Sequence, residues 1–344
     1  MSGTSLDGID LCLVNFKRVN KAWSFEILKA ETIPYTKEWL YELKKAESCF
    51  GNKLIQLDFE YGKLLGETAV HFLEKHSIEA DSIASHGHTI FHQIENGLTF
   101  QLGHGAALAA ASNLLSISDF RSLDVALGGQ GAPLVPYGDQ ELFSEFDCCI
   151  NLGGIANLSF EKKGTRLAFD ICACNMILNH LMREHFNKKF DQNGAISRQG
   201  NFNEFLFNQL NKLDYFQIDG PKSLGKEWIF QKIIPLFEKS NISIQDQLFT
   251  FSKHCAFQIG EVLRINKIRS NILLTGGGSK NKFLLELIRQ EGFEITLPKE
   301  QTIDFKEALI FAFLGLKRIL KENNTLKSVT GASRNSCGGS VYLP

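Results

Sequence analysis

At 344 residues the chain is too long for one ordinary hydrophobic core, and its 44% hydrophobic and 22% charged residues are those of a folded globular protein. A formal charge of −1 excludes the electrostatic footprint of nucleic-acid binding or of adsorption to an anionic membrane, and the longest apolar run, Ala308 to Leu316, is far short of a membrane span. Two domains are therefore expected, with neither nucleic acid nor membrane as a partner.

The opening MSGTSLDGID has no basic region and no apolar segment, so no secretion signal is expected. The eight cysteines form no CxxC, and their adjacent or alternate spacing suits neither disulfides nor zinc, which points to reduced thiols in a cytoplasmic protein. In the first ten residues, Gly3, Thr4, Ser5, Leu6, Asp7, Gly8, Ile9 and Asp10, small hydroxylated residues between glycines offer N–H and O–H donors to phosphate oxygens. Asp7 could hold Mg²⁺ there through water. The competing reading is a Ser- and Gly-rich tail. IDLCLVNF runs on from Ile9 as a strand, with Trp23 to Ile33 as its partner, and this favours the loop. A glycine turn of this kind expects a strand before it, and only Met1 and Ser2 stand there.

Residues 36 to 77 read as helices, with Trp39, Leu40, Leu43 and Ala46 on one face and Leu54, Leu57, Tyr61, Leu64 and Leu65 on another. A short strand, Ile83 to His86, leads into GHTIFH. His86, His88 and His92 could share a strand face and open a metal-dependent hydrolase site. No ligand cluster follows downstream, so polar contacts to a ligand are the preferred reading. Leu98 to Leu102 and Leu114 to Ser118 read as strands around an Ala-rich helix, Gly105 to Asn113. Residues 119 to 143 combine Asp119, Arg121 and Asp124 with Gly128, Gly129, Gly131 and two prolines, without clear periodicity. This is expected to be a structured, functional loop and the crossover between domains. An Arg and a carboxylate at a strand end suit a sugar acid and its hydroxyls; the bland alternative is a salt bridge in a linker.

Between 146 and 170 three apolar runs separated by Asn151, Gly153, Gly154 and a charged turn read as a strand meander. The glycines let backbone approach a ligand and turn N–H groups outward. Asp170 is delivered at the end of the third strand, ahead of a helix from Met176 to Phe186. A carboxylate so placed could take a proton from a nucleophile aimed at a phosphate, or could be a plain helix cap. PKSLGKE (221 to 227) reads as a loop, followed by helices near 226 to 239 and 245 to 264. Strand Asn271 to Thr275 runs into Gly276, Gly277 and Gly278, with Ser279 as cap of a helix from Asn281 to Gln290, a place for a nucleotide to lie against backbone. A last apolar helix, Ile303 to Leu320, carries Glu307 near its start. Strands then helices, twice over, suit two α/β domains clamping a nucleotide.

MSGTSLDGID, SHGHTIFH, DFRSLDVALGGQGAPLVP, NLGGIANLS, Phe169-Asp170 with Asn175 behind it, PKSLGKE and TGGGSKN together resemble the anhydro-N-acetylmuramic acid kinases, in order and spacing across nearly the whole chain. The resemblance implies an α/β protein of the actin, hexokinase and heat-shock chaperone superfamily, with two ribonuclease H-like domains and an active-site cleft between them. It sets the N-terminal domain at 1 to 119, without its first strand and completed by 321 to 344, and the nucleotide- and base-bearing domain at 120 to 320. It implies an ATP- and Mg²⁺-dependent enzyme that opens the 1,6-anhydro ring with water and phosphorylates O6, in peptidoglycan recycling, and a homodimer. Gly3 to Asp10 would match the first phosphate loop, Asn151 to Asn157 the second phosphate turn, and Gly276 to Gly278 with Asn281 the adenosine turn. Asp170 matches the general base. His86, His88, Asp119, Arg121, Gln130 and Glu307 would face the sugar. The chain departs from the family in the absent strand before MSGTS, in Cys172-Ala173-Cys174-Asn175 where Gly-Pro-Gly-Asn is common, and in His88 where many members carry Gln. The rival readings are a related kinase for another sugar and an idle nucleotide-binding regulator.

Overall fold

Strand β1 (Ile9–Val19) turns back into β2 (Ala22–Ile33) through Asn20 and Lys21, both at positive φ (50° and 72°), the two-residue turn whose twist suits antiparallel strands. The computed structural model describes every residue except Thr4, Ser5 and Asp219. In chain order the remaining strands are β3 (Ser82–Ala84), β4 (His88–Gln93), β5 (Leu98–Leu102), β6 (Leu115–Ser118), β7 (Cys148–Leu152), β8 (Ile155–Lys162), β9 (Thr165–Ala173), β10 (Ile272–Thr275), β11 (Ile295–Thr296) and β12 (Ser340–Tyr342). No helix of the described residues is long and apolar enough to cross a membrane.

The chain divides into two units, Met1–Leu142 with Phe305–Pro344, and Phe143–Asp304. These breaks differ from the 119/120 and 320/321 expected from sequence, and packing gives the reason. Residues 119 to 143 hold two helices, Ser122–Ala126 and Val135–Leu142, with Pro136 in the first turn of the second, where its missing N–H costs nothing. Both are fastened into the first unit. Gly138 lies flat on Ile310, whose Cγ1 would stand 2.6 Å from any added Cβ, and buried Asp124 bonds the hydroxyl of Thr330 (2.8 Å). The return break falls inside the helix Glu300–Ile319, where Phe305 leaves helical geometry (φ −116°, ψ 17°).

In the second unit the sheet order is β11-β10-β7-β8-β9. β7, β8 and β9 form an antiparallel meander, while β10 and β11 run parallel to β7, the ribonuclease H-like pattern. Ile150, Leu152, Leu158, Ile177, Phe251 and Ile259 are all 2% exposed or less, and each such side chain stabilises the unit by roughly 1.5–3 kcal/mol.

Among its described residues the first unit holds three ribbons: β1 with β2, β4 with β5, and β3–β6–β12. β12, from the C-terminal segment, runs antiparallel to β6. A bridge between Ser2 and His88 ties the N-terminal loop to β4. Among the described residues β1 pairs with β2 and, through Asp10, exchanges backbone bonds with Met1 (2.8 Å each), β3 pairs with β6, and both strands line a cavity of about 500 Å³ with Leu65, Phe72, Ala312 and Leu316. Leu57 and Tyr61 of the helix Gly51–His76 form the local core with Leu102 and Leu108.

Candidate active site

Asp170 sits opposite Asn157 in the β8–β9 ladder, and the register slips there: Ala156 faces Cys172, so Ile171 is extra. Such a bulge bends its strand and re-aims the neighbouring side chain. Three bonds from residues 215 to 224 fix the result. The Asp170 N–H donates to the carbonyl of Lys222 (2.9 Å), its carbonyl accepts from the hydroxyl of Tyr215 (2.7 Å), and its Oδ2 accepts from the Leu224 N–H (2.9 Å). Removal from water raises the carboxyl's pKa above the ordinary aspartate value, and the Leu224 N–H pulls the other way. Neither Tyr215 nor Leu224 has a role assigned from sequence; the signal available is PKSLGKE, a loop and a motif of the resemblance, which contains Leu224 and Lys222 but not Tyr215. Cys172 and Cys174 turn into the apolar core, where the thiol of Cys255 donates to the carbonyl of Ala173 (3.3 Å).

The two glycine turns of this unit meet. Gly276 has φ +81°, and an added Cβ would lie 2.4 Å from Asn151 Oδ1; at Gly278 it would lie 2.8 Å from Leu152 Cβ. Only glycine permits that approach. The carbonyls of Gly153 and Gly154 accept from the N–H groups of Asn175 (3.2 Å), Cys174 (2.9 Å) and Met176 (3.0 Å), so the turn is stitched to the start of the helix Asn175–Phe186. The Asn175 side chain adds a bond to the Leu152 carbonyl (2.8 Å). Gly277 has open space around it. The helix Lys282–Gln290 is capped by Asn281, whose Oδ1 accepts from Leu284 N–H (3.1 Å), and not by Ser279, whose hydroxyl is spent on the Gly276 carbonyl (2.7 Å). Ser279 lies within a 3₁₀ turn, two residues too early to reach that helix.

In the first unit Arg121 and His86 are in contact. Arg121 donates to His86 Nε2 through Nε (2.9 Å) and Nη2 (2.8 Å), and through Nη1 to the Gly131 carbonyl (2.6 Å). His86 Nδ1 donates to the Gly87 carbonyl (2.9 Å), which fixes the tautomer. Burial, reinforced by the guanidinium, lowers the His86 pKa to about 3, so the ring stays neutral. Burial also lowers Arg121, to about 10, which leaves it charged near neutrality. The carboxylate of Glu307 is open to solvent by area, yet protein closes around it enough to raise its pKa, with Arg121 opposing.

The other sugar candidates are placed differently. Asp119 is exposed, at φ +56°, and accepts from the Ser122 hydroxyl (2.5 Å). Gln130 is exposed, and its N–H donates to the Thr330 carbonyl (2.8 Å). His88 points away from Arg121 in its bonding: its Nδ1 meets the hydroxyl of Ser2 (2.9 Å), which continues to Tyr35 and Tyr61 (2.5 Å each). A three-histidine metal site is therefore disfavoured by the bonds themselves, because His86 is spent on a cation, His88 on Ser2, and His92 on Thr99 (3.1 Å). Of the first phosphate loop, Thr4 and Ser5 lie outside the described residues. Gly3 and Asp7 are exposed, Leu6 has φ 57°, and buried Gly8 is backed onto the Ile33 carbonyl, 2.4 Å from an added Cβ. Ile9 is core and Asp10 accepts from the Thr32 hydroxyl (2.5 Å). An exposed carboxylate such as Asp7 fits a cation held through its water shell.

The anhydro-N-acetylmuramic acid kinase family model matches residues 1–344. The chain belongs to that family. Similar relatives are the anhydro-N-acetylmuramic acid kinases of Shewanella frigidimarina, 32% identical over 99% of this chain and 96% of that one, and of Caldanaerobacter subterraneus subsp. tengcongensis, 30% identical over 100% and 96%. The kinase of Aliivibrio fischeri is 32% identical over 99% of this chain and 97% of its own. Family membership thus spans both units, with the Asp170 cradle in one and the Arg121–His86 pair in the other.

Proposed function

We propose that this chain is an ATP-dependent kinase that opens the 1,6-anhydro ring of 1,6-anhydro-N-acetylmuramic acid with water and phosphorylates O6, giving N-acetylmuramic acid 6-phosphate and ADP. The observation that carries this reading is Asp170, a desolvated carboxylate that accepts from the Leu224 N–H on a backbone held by Lys222 and Tyr215, in a chain whose family match is full-length. No free 6-hydroxyl exists in the anhydro sugar, since O6 is tied to the anomeric carbon. Asp170 therefore takes a proton from water, the water oxygen bonds to the anomeric carbon, and the C1–O6 bond breaks as O6 bonds to the γ-phosphorus of ATP, whose bond to the β–γ bridging oxygen breaks to release ADP. Backbone donors of the Gly3–Gly8 and Gly153–Gly154 turns stabilise phosphoryl charge, and Gly276 to Gly278 give the nucleoside a surface without side chains. Mg²⁺, when bound near Asp7, would neutralise phosphate charge. Arg121 receives the sugar acid's carboxylate, Glu307, Asp119 and Gln130 its hydroxyls, and His86 acts by fixing the guanidinium. The supply of ATP puts the reaction in the cytoplasm.

The test is turnover in ¹⁸O-labelled water. The label is expected at the anomeric hydroxyl of the product, with none between sugar and phosphate. Label in inorganic phosphate with an unlabelled sugar means plain ATP hydrolysis, and the reading falls. A kinase for another sugar would leave the anhydro sugar untouched, and an idle regulator would bind ATP without consuming it.

A further inference from the structure

Tyr215, Lys222 and Leu224 hold Asp170 from three sides, yet the described residues from 215 to 224 include no strand and no α-helix; the segment runs from a 3₁₀ turn, Asp214–Gln217, to the helix Lys226–Glu238. A coil of this kind keeps its shape only if something closes it. The Lys222 ammonium does so: Nζ donates to the carbonyls of Tyr215 (2.9 Å) and Ile218 (2.9 Å) and lies 4.5 Å over the Tyr215 ring. Tyr215 is itself buried, 5% exposed, with its ring against Phe216 and Trp228. The anchored ring aims its hydroxyl at the Asp170 carbonyl, while the backbone of Lys222 and Leu224 meets the Asp170 N–H and carboxylate.

We propose that Lys222 is a positioning residue for the proposed base: its ammonium ties residues 215 to 224 into a closed loop, and the loop sets both where the Asp170 carboxylate points and how readily it holds a proton. This rests on the reading of Asp170 as the base. The reasoning is geometric. Without the ammonium the carbonyls of Tyr215 and Ile218 must find other donors, the turn opens, and the Leu224 N–H drifts from Oδ2. A carboxylate that loses its one N–H donor takes up a proton more readily. Among the described residues the titratable group that interacts with Asp170 is Tyr215, from the loop, while β8 faces it with Asn157.

Lys222→Met in the full chain is expected to fold and bind ATP normally while kcat falls about 10- to 100-fold, the scale for a displaced reacting group. KM for the sugar should change little. The acidic limb of the kcat profile should move to higher pH, and Lys222→Arg, which can donate to the same carbonyls, should restore both. Tyr215→Phe should move kcat and the limb the same way by less. A folded Lys222→Met with the parent kcat and an unmoved limb overturns the proposal, as does a loss confined to sugar KM, which would make Lys222 a sugar contact. If Lys222→Met does not fold, a Tyr215→Phe variant with the parent profile overturns it instead. Asp170→Asn, assayed alongside, separates the two readings: turnover by that variant removes the base itself, whatever Lys222 does.

Discussion

A carboxylate taken out of water is a stronger base and a worse contributor to stability, and Asp170 shows both sides of that exchange. Its folded pKa is raised, so between the ordinary aspartate value and the raised one the folded chain binds more protons than the unfolded chain. Stability contributed by this group therefore falls as pH rises through that window. Asp170→Asn removes the charge and keeps the shape. We expect its melting temperature at neutral pH to equal or exceed that of the parent, with ATP still bound, while turnover falls about 10²- to 10⁴-fold. A variant that loses stability and activity together would show a structural role in place of a chemical one. His86 gives the complementary lesson: the residue type suggested a ligand contact, but both ring nitrogens are spent, on Gly87 and Arg121.

Among the elements, the turn after β10 depends on glycine at one position and tolerates a side chain at the next. At Gly276 a Cβ would meet Asn151 Oδ1 at 2.4 Å and the Leu152 carbonyl at 2.9 Å, with φ at +81°; at Gly277 nothing lies within 4 Å. Gly276→Ala is expected to cost about 1–3 kcal/mol and to weaken ATP binding about tenfold while sugar KM holds. Gly277→Ala should melt with the parent. Equal melting temperatures for the two variants would refute this account of the turn. Residues 119 to 143, expected from sequence to be a structured loop without regular elements, show why local pattern fails there. Their helices are short, and each is held by a distant partner: the first by the Asp124–Thr330 bond across 206 positions of chain, the second by Gly138 against Ile310.

Over the whole molecule, acid should act on both units through histidines kept neutral inside. His86 in the first unit and His254 in the second are each lowered to about 3, both mainly by burial. The unfolded chain takes up these protons near pH 6.5 and the folded chain does not. The stability they give is present above about pH 6.5 and is lost as pH falls towards 3, at roughly 1.4 kcal/mol per pH unit for each histidine. Urea unfolding between about pH 7.5 and pH 4.5 should show this loss, and His86→Gln should flatten the slope for the first unit. The same slope in parent and variant would mean that other groups drive the acid response.

The amino-acid sequence by itself determined what depends on neighbours along the chain. The β1–β2 hairpin, the meander that delivers Asp170, the glycine turns and the family are all written in local spacing, because period, turn residues and backbone freedom are local properties. Which atoms surround those residues was decided only by the tertiary structure. The Tyr215–Leu224 cradle lies 45 to 54 positions from Asp170, and the Thr330 anchor of Asp124 lies 206 positions away. The division of the chain likewise follows packing, with its second break at the bend in Phe305 and not at a composition change. Such partners are chosen by which surfaces can be buried together, and no local pattern carries that information.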